Sequence, residues 1–331
     1  MPSGVARVLG AGFLLLRLGP SLVLLILIIL SSILSPYFLT TRNLQNLGVQ
    51  SASTAVLAIG QLLVVVTRGI DLSVGSVVSL STVVGALAFV HGYSAAVVIA
   101  AMLITGAAVG FLNGIILTTT RIPHPFIVTL GSMNVVLGIA LVLSGGVAIV
   151  GMPSVISAIG TQYLVGIPAA VLVTLGWGAI AAVLTNLVKW GRWIYAVGGN
   201  PEAARRAGMP VNRILVSTYV LCGLSASVAA VIISGRTNTG DPVAGSLLEL
   251  DAIAAVIIGG ASFFGGRGTV LGAISGAFVI GVIRNTLDLM NVSPYMHLIA
   301  IGIVVVAAVL LDVFRVRLES KVRSLQAEGS S

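Results

Sequence analysis

The chain has 331 residues, of which 57% are hydrophobic and only 8% are charged, and its mean hydropathy is +1.15. A soluble domain carries about 25% charged residues, so the 17 basic and 9 acidic residues cannot cover the surface of a 33.6 kDa globule. An intrinsically disordered chain is excluded because such chains are poor in apolar residues. The composition indicates a polytopic membrane protein, and its 40 glycines suit closely packed helices in lipid.

Ten apolar runs are candidates for transmembrane helices, which need about 20 mostly apolar residues. In chain order they are Leu18–Leu34, Leu47–Val66, Leu72–Val90, Ala95–Thr118, Phe126–Leu143, Leu164–Val188, Ile214–Ser234, Leu250–Phe264, Thr269–Leu287 and Tyr295–Phe314. The eighth run is short and could instead be re-entrant. A weak resemblance between Gly106–Leu143 and Gly272–Val309 is compatible with two halves. The sequence thus predicts an all-α polytopic membrane protein with about ten transmembrane helices.

Loop charge predicts the orientation of these spans. If the N-terminus is cytoplasmic and the spans alternate, only Arg42, Arg236 and Arg284 of the 17 basic residues fall outside. This positive-inside bias predicts cytoplasmic N- and C-termini. The chain then divides into a cytoplasmic segment 1–17, a transmembrane domain 18–314 with a cytoplasmic loop at about 189–213, and a cytoplasmic basic tail 315–331. The net charge of +8 is explained by basic residues in cytoplasmic loops, and no nucleic-acid partner is expected.

Several classes of chemistry lack the residues that they need. A phosphate-binding loop of the form G-x-x-x-x-G-K-[ST] is absent, since neither Lys189 nor Lys321 follows a glycine. The three histidines are far apart, and no cluster has metal-ligand spacing. Acidic residues lie near span ends rather than at span centres, which disfavours an ion-coupled carrier. We therefore expect no catalytic residue, no metal site and no cofactor in this chain.

The first motif is T-R-G-I-D-L-S-V-G-S at 67–76. Gly69 permits a tight turn, and Asp71 and Ser73 are suited to cap the following helix. An alternative interpretation is functional, because irregular backbone at membrane depth is tolerated only where it lines a cavity or is buried in protein. On that interpretation, this break lies beside a translocation path.

The second motif is I-P-H-P-F-I-V-T-L-G at 122–131. Its two prolines favour an extended turn before a helix. Thr129 and Asn134 on this helix could line a path or bond a neighbouring helix.

The third motif, G-G-N-P-E-A-A-R-R-A-G-M-P at 198–210, predicts one short helix. Asn200 is a good N-cap, Pro201 suits the first helical position, and Glu202 complements the positive helix end. Gly208 and Pro210 stop the helix after about two turns. Because so short a helix is marginal in isolation, it is either a plain connection or a docking element.

The fourth motif is E-L-D-A-I-A-A-V-I-I-G-G at 249–260, followed by F-G-G-R-G-T at 264–269. Glu249 and Asp251 fall in the first turn of a helix, where the helix dipole favours acidic residues. A tight turn between two closely packed helices is predicted by Gly259, Gly260, Gly265 and Gly266. Arg267 either bonds carbonyls at a helix end or contacts a partner subunit.

These four motifs resemble those of permease subunits of carbohydrate ABC importers of the ribose/xylose/inositol type, from about residue 45 to 312. G-I-D-L-S-V-G, P-F-I-x-T-L-G and the 249–269 motif are similar to signatures of that family, and E-A-A-x-x-x-G is similar to the coupling loop of ABC importer permeases. Arg68 departs from the family pattern, which has a small residue there. The resemblance implies the ABC importer permease fold, in a multi-pass protein of the bacterial inner membrane.

The resemblance also implies partners. They are a second permease subunit, identical or related, two ATP-binding subunits or one duplicated ATPase, an extracytoplasmic sugar-binding protein, and the lipid bilayer. ATP and Mg would bind to the ATPase subunits. An ABC permease for branched-chain amino acids and an ion-coupled secondary carrier are the alternatives. This chain offers few charged contacts for a zwitterionic substrate.

The resemblance further implies roles for individual residues. Coupling to the ATPase would involve Asn200, Pro201, Glu202, Ala203, Ala204, Arg205 and Gly208. A sugar path needs hydrogen-bonding groups, and the predicted path residues are Gln50, Gln61, Asp71, Ser73, Asn113, Thr129, Asn134 and Asn238. Closure of the ATPase around ATP would pull the helix at 201–207 and switch the spans between outward and inward access.

Overall fold

The computed structural model describes residues 20–120 and 124–328, and these residues are mostly helical. The helices are α1 (Pro20–Leu34), α2 (Thr41–Val66), α3 (Val74–Val90), α4 (Ala95–Thr120), α5 (Pro125–Ser144), α6 (Ser154–Thr161), α7 (Ala169–Asn186), α8 (Lys189–Gly199), α9 (Pro201–Arg206), α10 (Val211–Thr237), α11 (Leu248–Ile258), α12 (Val270–Leu289) and α13 (Pro294–Glu328). Two antiparallel pairs of two-residue strands complete the fold, namely β1 (Ile149–Val150) with β4 (Thr239–Gly240), and β2 (Tyr163–Leu164) with β3 (Ile167–Pro168).

Within residues 20–120 and 124–328, six helices are long and apolar enough to cross a membrane, namely α2, α4, α5, α7, α10 and α12. The apolar stretches Pro20–Leu34, Val74–Val90 and Pro294–Leu310 are shorter. A polytopic helical membrane protein is therefore supported by helix length and composition, while ten full spans and the orientation of the termini stay predictions.

Several predicted spans differ in extent from the helices observed. Helix α2 begins six residues before the run Leu47–Val66, and α13 continues to Glu328, beyond the predicted end at Phe314. The run Leu250–Phe264 is helical only to Ile258, because a glycine-rich turn follows. The 11 residues of α11 rise only about 16 Å, roughly half of the hydrocarbon thickness of a bilayer. The run Leu164–Val188 becomes helical only at Ala169, since a hairpin with positive φ at Val165 and Gly166 occupies its start.

Helix α2 is the centre of the fold. Every residue from Ser51 to Val66 is buried, and the helix packs against α7, α10, α11 and α12. Buried on all sides, it has small residues such as Ala55, Ala58 and Gly60 where neighbours come close. At Gly60, an added Cβ would lie 2.6 Å from the Ser225 Cβ of α10.

The crossing of α4 and α10 depends on glycines spaced four residues apart. Gly106, Gly110 and Gly114 of α4 face the α10 backbone around Gly223, Tyr219 and Val216 respectively. An added Cβ at Gly110 would overlap the Tyr219 carbonyl oxygen. In lipid, where no hydrophobic force drives helices together, such close backbone packing is a main source of helix association.

The helices from α2 onward form two halves with inverted direction. Helix α3 packs against α4, α5 and α10, and in the same way α11 packs against α12, α13 and α2. Gly60 of α2 lies near Ser225 of α10 while Gly69, beyond the end of α2, lies near Tyr219, so the two helices run antiparallel. The segments whose sequences resemble one another, 106–143 and 272–309, thus occupy corresponding places as α4–α5 and α12–α13.

Replacing Gly110 with Val tests the glycine crossing. The added side chain must push α4 away from the Tyr219 carbonyl, and we expect the free energy of unfolding to fall by about 1–3 kcal/mol. The measurement is the thermal unfolding midpoint of the detergent-solubilised protein. Gly176→Val in α7 is the matched control, because nothing lies within 4 Å of an added Cβ there. Equal midpoints for the two variants would contradict the close crossing.

Candidate functional site

The break between α2 and α3, residues 67–73, is held by a buried polar network. The Asp71 carboxylate accepts hydrogen bonds from Ser73 N–H at 2.9 Å and from Ser73 Oγ at 2.6 Å. The Asn113 amide of α4 donates to Ser73 Oγ at 2.9 Å. Ser73 occupies the N-cap position of α3, but its side chain makes no capping bond. Asp71 therefore shapes the turn before the helix, and Ser73 links that turn to α4.

Side chains of α2 and α5 also form hydrogen bonds to this break. In the amide orientation that satisfies both groups, the Gln61 side chain of α2 donates to the Asp71 carbonyl and accepts from the Asp71 N–H, each at 3.2 Å. The Thr129 hydroxyl of α5 donates to the Ile70 carbonyl at 3.1 Å. Five of the eight predicted path residues lie in this network, and each is at most 1% exposed, namely Gln61, Asp71, Ser73, Asn113 and Thr129. Their polar groups are bonded within the chain.

The other three predicted path residues lie elsewhere. Gln50 is partly buried on α2, whereas Asn134 is exposed on α5 and donates to the carbonyl of Leu130 at 3.0 Å. Asn238 is exposed at the end of α10, and its Oδ1 accepts from Met152 N–H at 2.9 Å. The structure therefore does not gather the eight residues into one site.

The short helix α9 begins where the third motif predicts it. The Asn200 Oδ1 accepts from Ala203 N–H at 3.0 Å, Pro201 is the first helical residue, and Gly208 follows with φ of +77°. Its single buried residue, Ala204, packs into a core cluster with Val197 and Val211. Its exposed face carries Glu202, which pairs with Arg206 at 3.1 Å and with Arg205 at 3.7 Å. One face of α9 therefore packs against the core cluster, and its charged face is exposed.

Three of the four motifs meet at one place, which we call the junction: Val66–Arg68, Gly198–Gly199 and Gly265–Gly268. The Arg68 guanidinium donates through Nε to the Gly198 carbonyl at 2.6 Å and through a terminal nitrogen to the Gly199 carbonyl. Gly266 N–H donates to the Val66 carbonyl at 2.8 Å, and Tyr195 Oη donates to the Gly268 carbonyl at 2.9 Å. The break, the segment before α9 and the α11–α12 turn are thus bonded together.

Sequence reasoning missed the roles of Arg68 and Tyr195 in this junction. Arg68 has φ of +66°, a left-handed conformation that is uncommon for residues other than glycine. The signal that could have found it is the departure from a family pattern that has a small residue at this position. Tyr195 carried no such signal, because its partner is a backbone carbonyl 73 residues away.

The fourth motif forms the hairpin between α11 and α12. Backbones approach closely at Gly259 and Gly272, where an added Cβ on either would overlap the carbonyl oxygen of the other. The turn residues with positive φ are Gly260, Gly265, Gly266 and Gly268. Asp251 is 3% exposed and forms a salt bridge to Arg284 of α12 at 2.8 Å, while Glu249 is partly exposed. Arg267 lies exposed in the turn, where its carbonyl accepts from Ser262 N–H.

A cavity of about 930 Å³ opens beside the junction. Its wall includes Arg68, Gly69, Pro201, Arg205 and Tyr219, so it separates α9 from the break. The buried Tyr219 hydroxyl has no hydrogen-bond partner among the described residues. Within the same part of the chain, no group of three or more histidine, cysteine or acidic side chains is placed to hold a metal ion.

Long apolar helices, a break buried between them, and a short helix with an exposed charged face define a polytopic helical membrane protein. The family described as branched-chain amino acid transport system / permease component matches residues 43–309. The chain belongs to this family.

Curated relatives match nearly the whole chain. It is 40% identical to the ribose import permease protein RbsC of Bacillus subtilis (strain 168), over 89% of this chain and 92% of the relative. It is 36% identical to the D-allose transport system permease protein AlsC of Escherichia coli (strain K12), over 89% and 91%. It is 33% identical to the L-arabinose ABC transporter permease protein AraH of Azospirillum brasilense, over 92% and 90%. No solved structure matches the chain significantly.

Two adjacent glycines allow a matched test of the junction. An added Cβ at Gly198 would overlap the Val66 carbonyl oxygen, whereas nothing lies within 4 Å of an added Cβ at Gly199. We therefore expect Gly198→Ala to separate α8 from the end of α2 and to lower the thermal unfolding midpoint in detergent. Gly199→Ala should leave the midpoint close to that of the parent. Equal midpoints for the two variants would show that the junction is not packed as described.

Proposed function

We propose that the chain is the transmembrane permease subunit of an ATP-driven, binding-protein-dependent importer of a monosaccharide of the ribose type. The observation that carries this proposal is the match, along almost the whole of both chains, to permeases named for ribose, allose and arabinose. The same relatives argue against branched-chain amino acids as the substrate, although the family description names them. Location in the bacterial inner membrane as a multi-pass protein agrees with the six long apolar helices.

The proposal includes partners that hold the ATP chemistry. A second permease subunit, identical or related, would complete the channel. Two ATP-binding subunits or one duplicated ATPase would bind ATP and Mg in the cytoplasm, and a sugar-binding protein would deliver substrate outside. The basic loop at about 189–213, with α8 and α9, would then be cytoplasmic, as would both termini.

The exposed charged face of α9 is the proposed contact with the ATPase. The side chains of Glu202, Arg205 and Arg206 are exposed, while Ala204 is buried on the opposite face. Helix-in-groove docking uses such a two-faced helix. Asn200, Pro201, Ala203 and Gly208 contribute by setting where this helix begins and ends.

Movement of α9 would reach the membrane helices through the junction. Arg68 bonds the end of α8 to the end of α2, and only two residues separate Arg68 from Asp71. Five of the predicted path residues, in the polar network, would therefore position the break. Gln50, Asn134 and Asn238, which are not fully buried, remain the proposed path candidates of the original eight.

The first test measures transport by the assembled system and its coupling. In proteoliposomes with the ATPase and the binding protein, we expect ATP-dependent uptake of a labelled monosaccharide but not of leucine. Glu202→Lys reverses the charge on the exposed face of α9, so uptake and co-purification of the ATPase should fall together. Gly208→Trp should act similarly, with Gly208→Asn as its control, because Asn tolerates a left-handed backbone. Unchanged uptake and unchanged ATPase association in Glu202→Lys and in Gly208→Trp would refute coupling through α9.

The second test concerns Arg68. Glycine adopts φ of +66° without strain, so Arg68→Gly removes both bonds to the α8 carbonyls and keeps the turn. We expect sugar imported per ATP hydrolysed to fall several-fold while the unfolding midpoint changes little. Arg68→Lys, which can still donate to a carbonyl, should recover part of the ratio. An unaltered ratio in the glycine variant would mean that Arg68 has no part in coupling.

A further inference from the structure

The first break has a counterpart at the end of α10. The segment T-R-G-I-D-L-S-V-G-S at 67–76 and the segment T-N-T-G-D-P-V-A-G-S at 237–246 share threonine, aspartate, glycine and serine at identical spacing. Their second residues, Arg68 and Asn238, both have positive φ, +66° and +54°. Each segment follows a central helix, α2 or α10, and leads into a shorter one, α3 or α11. The two breaks are equivalent elements of the two inverted halves.

The second break lies at the depth of the apolar helix α3. The Asp241 carbonyl accepts from Thr82 Oγ1 at 3.1 Å, and Gly245 N–H donates to Ser79 Oγ at 3.0 Å. The equivalent glycines of the two breaks, Gly75 and Gly245, touch backbone to backbone, since an added Cβ on either would overlap the other's carbonyl oxygen. The segment therefore descends along α3 for about two turns and meets the first break inside the fold.

The two breaks differ in how they are covered. Side chains of α2, α4 and α5 bury Asp71 and Ser73 of the first break, while Arg68 and Gly69 line the cavity beside the junction. In the second, Val243 is 51% exposed and Leu247 is 45% exposed, Ser246 is exposed, and Asp241 is partly exposed, whereas the Glu249 carboxylate lies against Gly75. The face of the second break that points away from α3 is thus open in the single chain.

Contact with lipid would be unfavourable for this open face. Irregular backbone at membrane depth occurs only where it is buried in protein or lines a water-filled cavity. Acidic side chains within membranes face protein interiors or aqueous pathways. The cores of protein interfaces are depleted in charged residues, so the partly exposed Asp241 carboxylate favours water over a tightly packed second subunit.

We propose that the open face of the second break, residues 241–247, lines the aqueous route that the sugar takes. This inference rests on the proposed function. The Asp241 carboxylate, of which only Oδ1 accepts from the Val243 N–H, and the Ser246 hydroxyl can accept hydrogen bonds, and sugar hydroxyls can supply them. The first break, bonded to the junction, connects to the ATPase side, whereas its counterpart contacts the substrate.

The test is the accessibility of single cysteines in the assembled transporter. Cys222 is the only native cysteine and is fully buried, so Cys222→Ala gives the background. Val243→Cys and Ser246→Cys are compared with Ile104→Cys, which is 66% exposed in the middle of the apolar helix α4. The probe is a membrane-impermeant thiosulfonate, which reacts with hydrated thiolates. We expect the two break positions to react about tenfold faster than position 104.

Two further readouts identify the route as that of the sugar. Labelling at 243 or 246 should abolish ATP-dependent uptake, and saturating sugar with its binding protein should slow the labelling several-fold. Reaction no faster than at position 104 would overturn the proposal. So would labelling that leaves uptake unchanged, or oxidative cross-linking between two permease copies without labelling. If the unlabelled background imports no monosaccharide at all, the proposed function fails, and labelling rates still report separately whether the face is hydrated.

Discussion

The structure depends on one constraint, that hydrocarbon offers no water to backbone N–H and C=O groups. A chain that interrupts its helices at membrane depth must therefore satisfy each freed group from inside the protein. The first break meets this demand with side chains from three helices, and the Gln61 amide alone pairs both backbone groups of Asp71. The burial of α2 on all sides is what brings Gln61, Asn113 and Thr129 within reach of the same short segment.

Two inverted halves give this protein two such breaks, and the two breaks are bonded by different neighbouring helices. Gly75 and Gly245 place the equivalent turns back to back, which requires glycine on both sides. Helix α5 then bonds the first break through Thr129, whereas the bonds of the second break to Thr82 and Ser79 come from α3 alone and leave Val243 and Leu247 exposed on its other face. The two inverted halves therefore carry one break bonded to the segment before α9 and one break with an open face.

The sequence predicts well whatever depends on neighbouring residues. Apolar runs predict most of the helices within a few residues, and Asn200 and Pro201 predict the start of α9, because capping is local. The sequence does not predict contacts between residues that are far apart along the chain. The bonds of Arg68 join residues 130 and 131 positions apart, and the Asp71 network draws on three helices. Helix α11 is shorter than predicted. The apolar run continues to Phe264, but the turn at Gly259 and Gly260 ends the helix after Ile258.

Arg68 shows how a departure from a family pattern can carry meaning. A left-handed residue other than glycine costs about 1–3 kcal/mol, and a hydrogen bond to a charged group contributes about 1.5–3 kcal/mol. Two guanidinium bonds therefore offset the strain. Their acceptors are the last carbonyls of α8, where the helix dipole is negative. Because these acceptors belong to the main chain, Arg68 fixes the backbone that leads into α9. With glycine at this position, the end of α2 would still hold α8 through Gly198 and through the apolar cluster in which Ile194 and Val197 pack with Val66. In this chain the contact between the end of α8 and the break is hydrogen-bonded as well as packed, so sliding at that contact would break both guanidinium bonds.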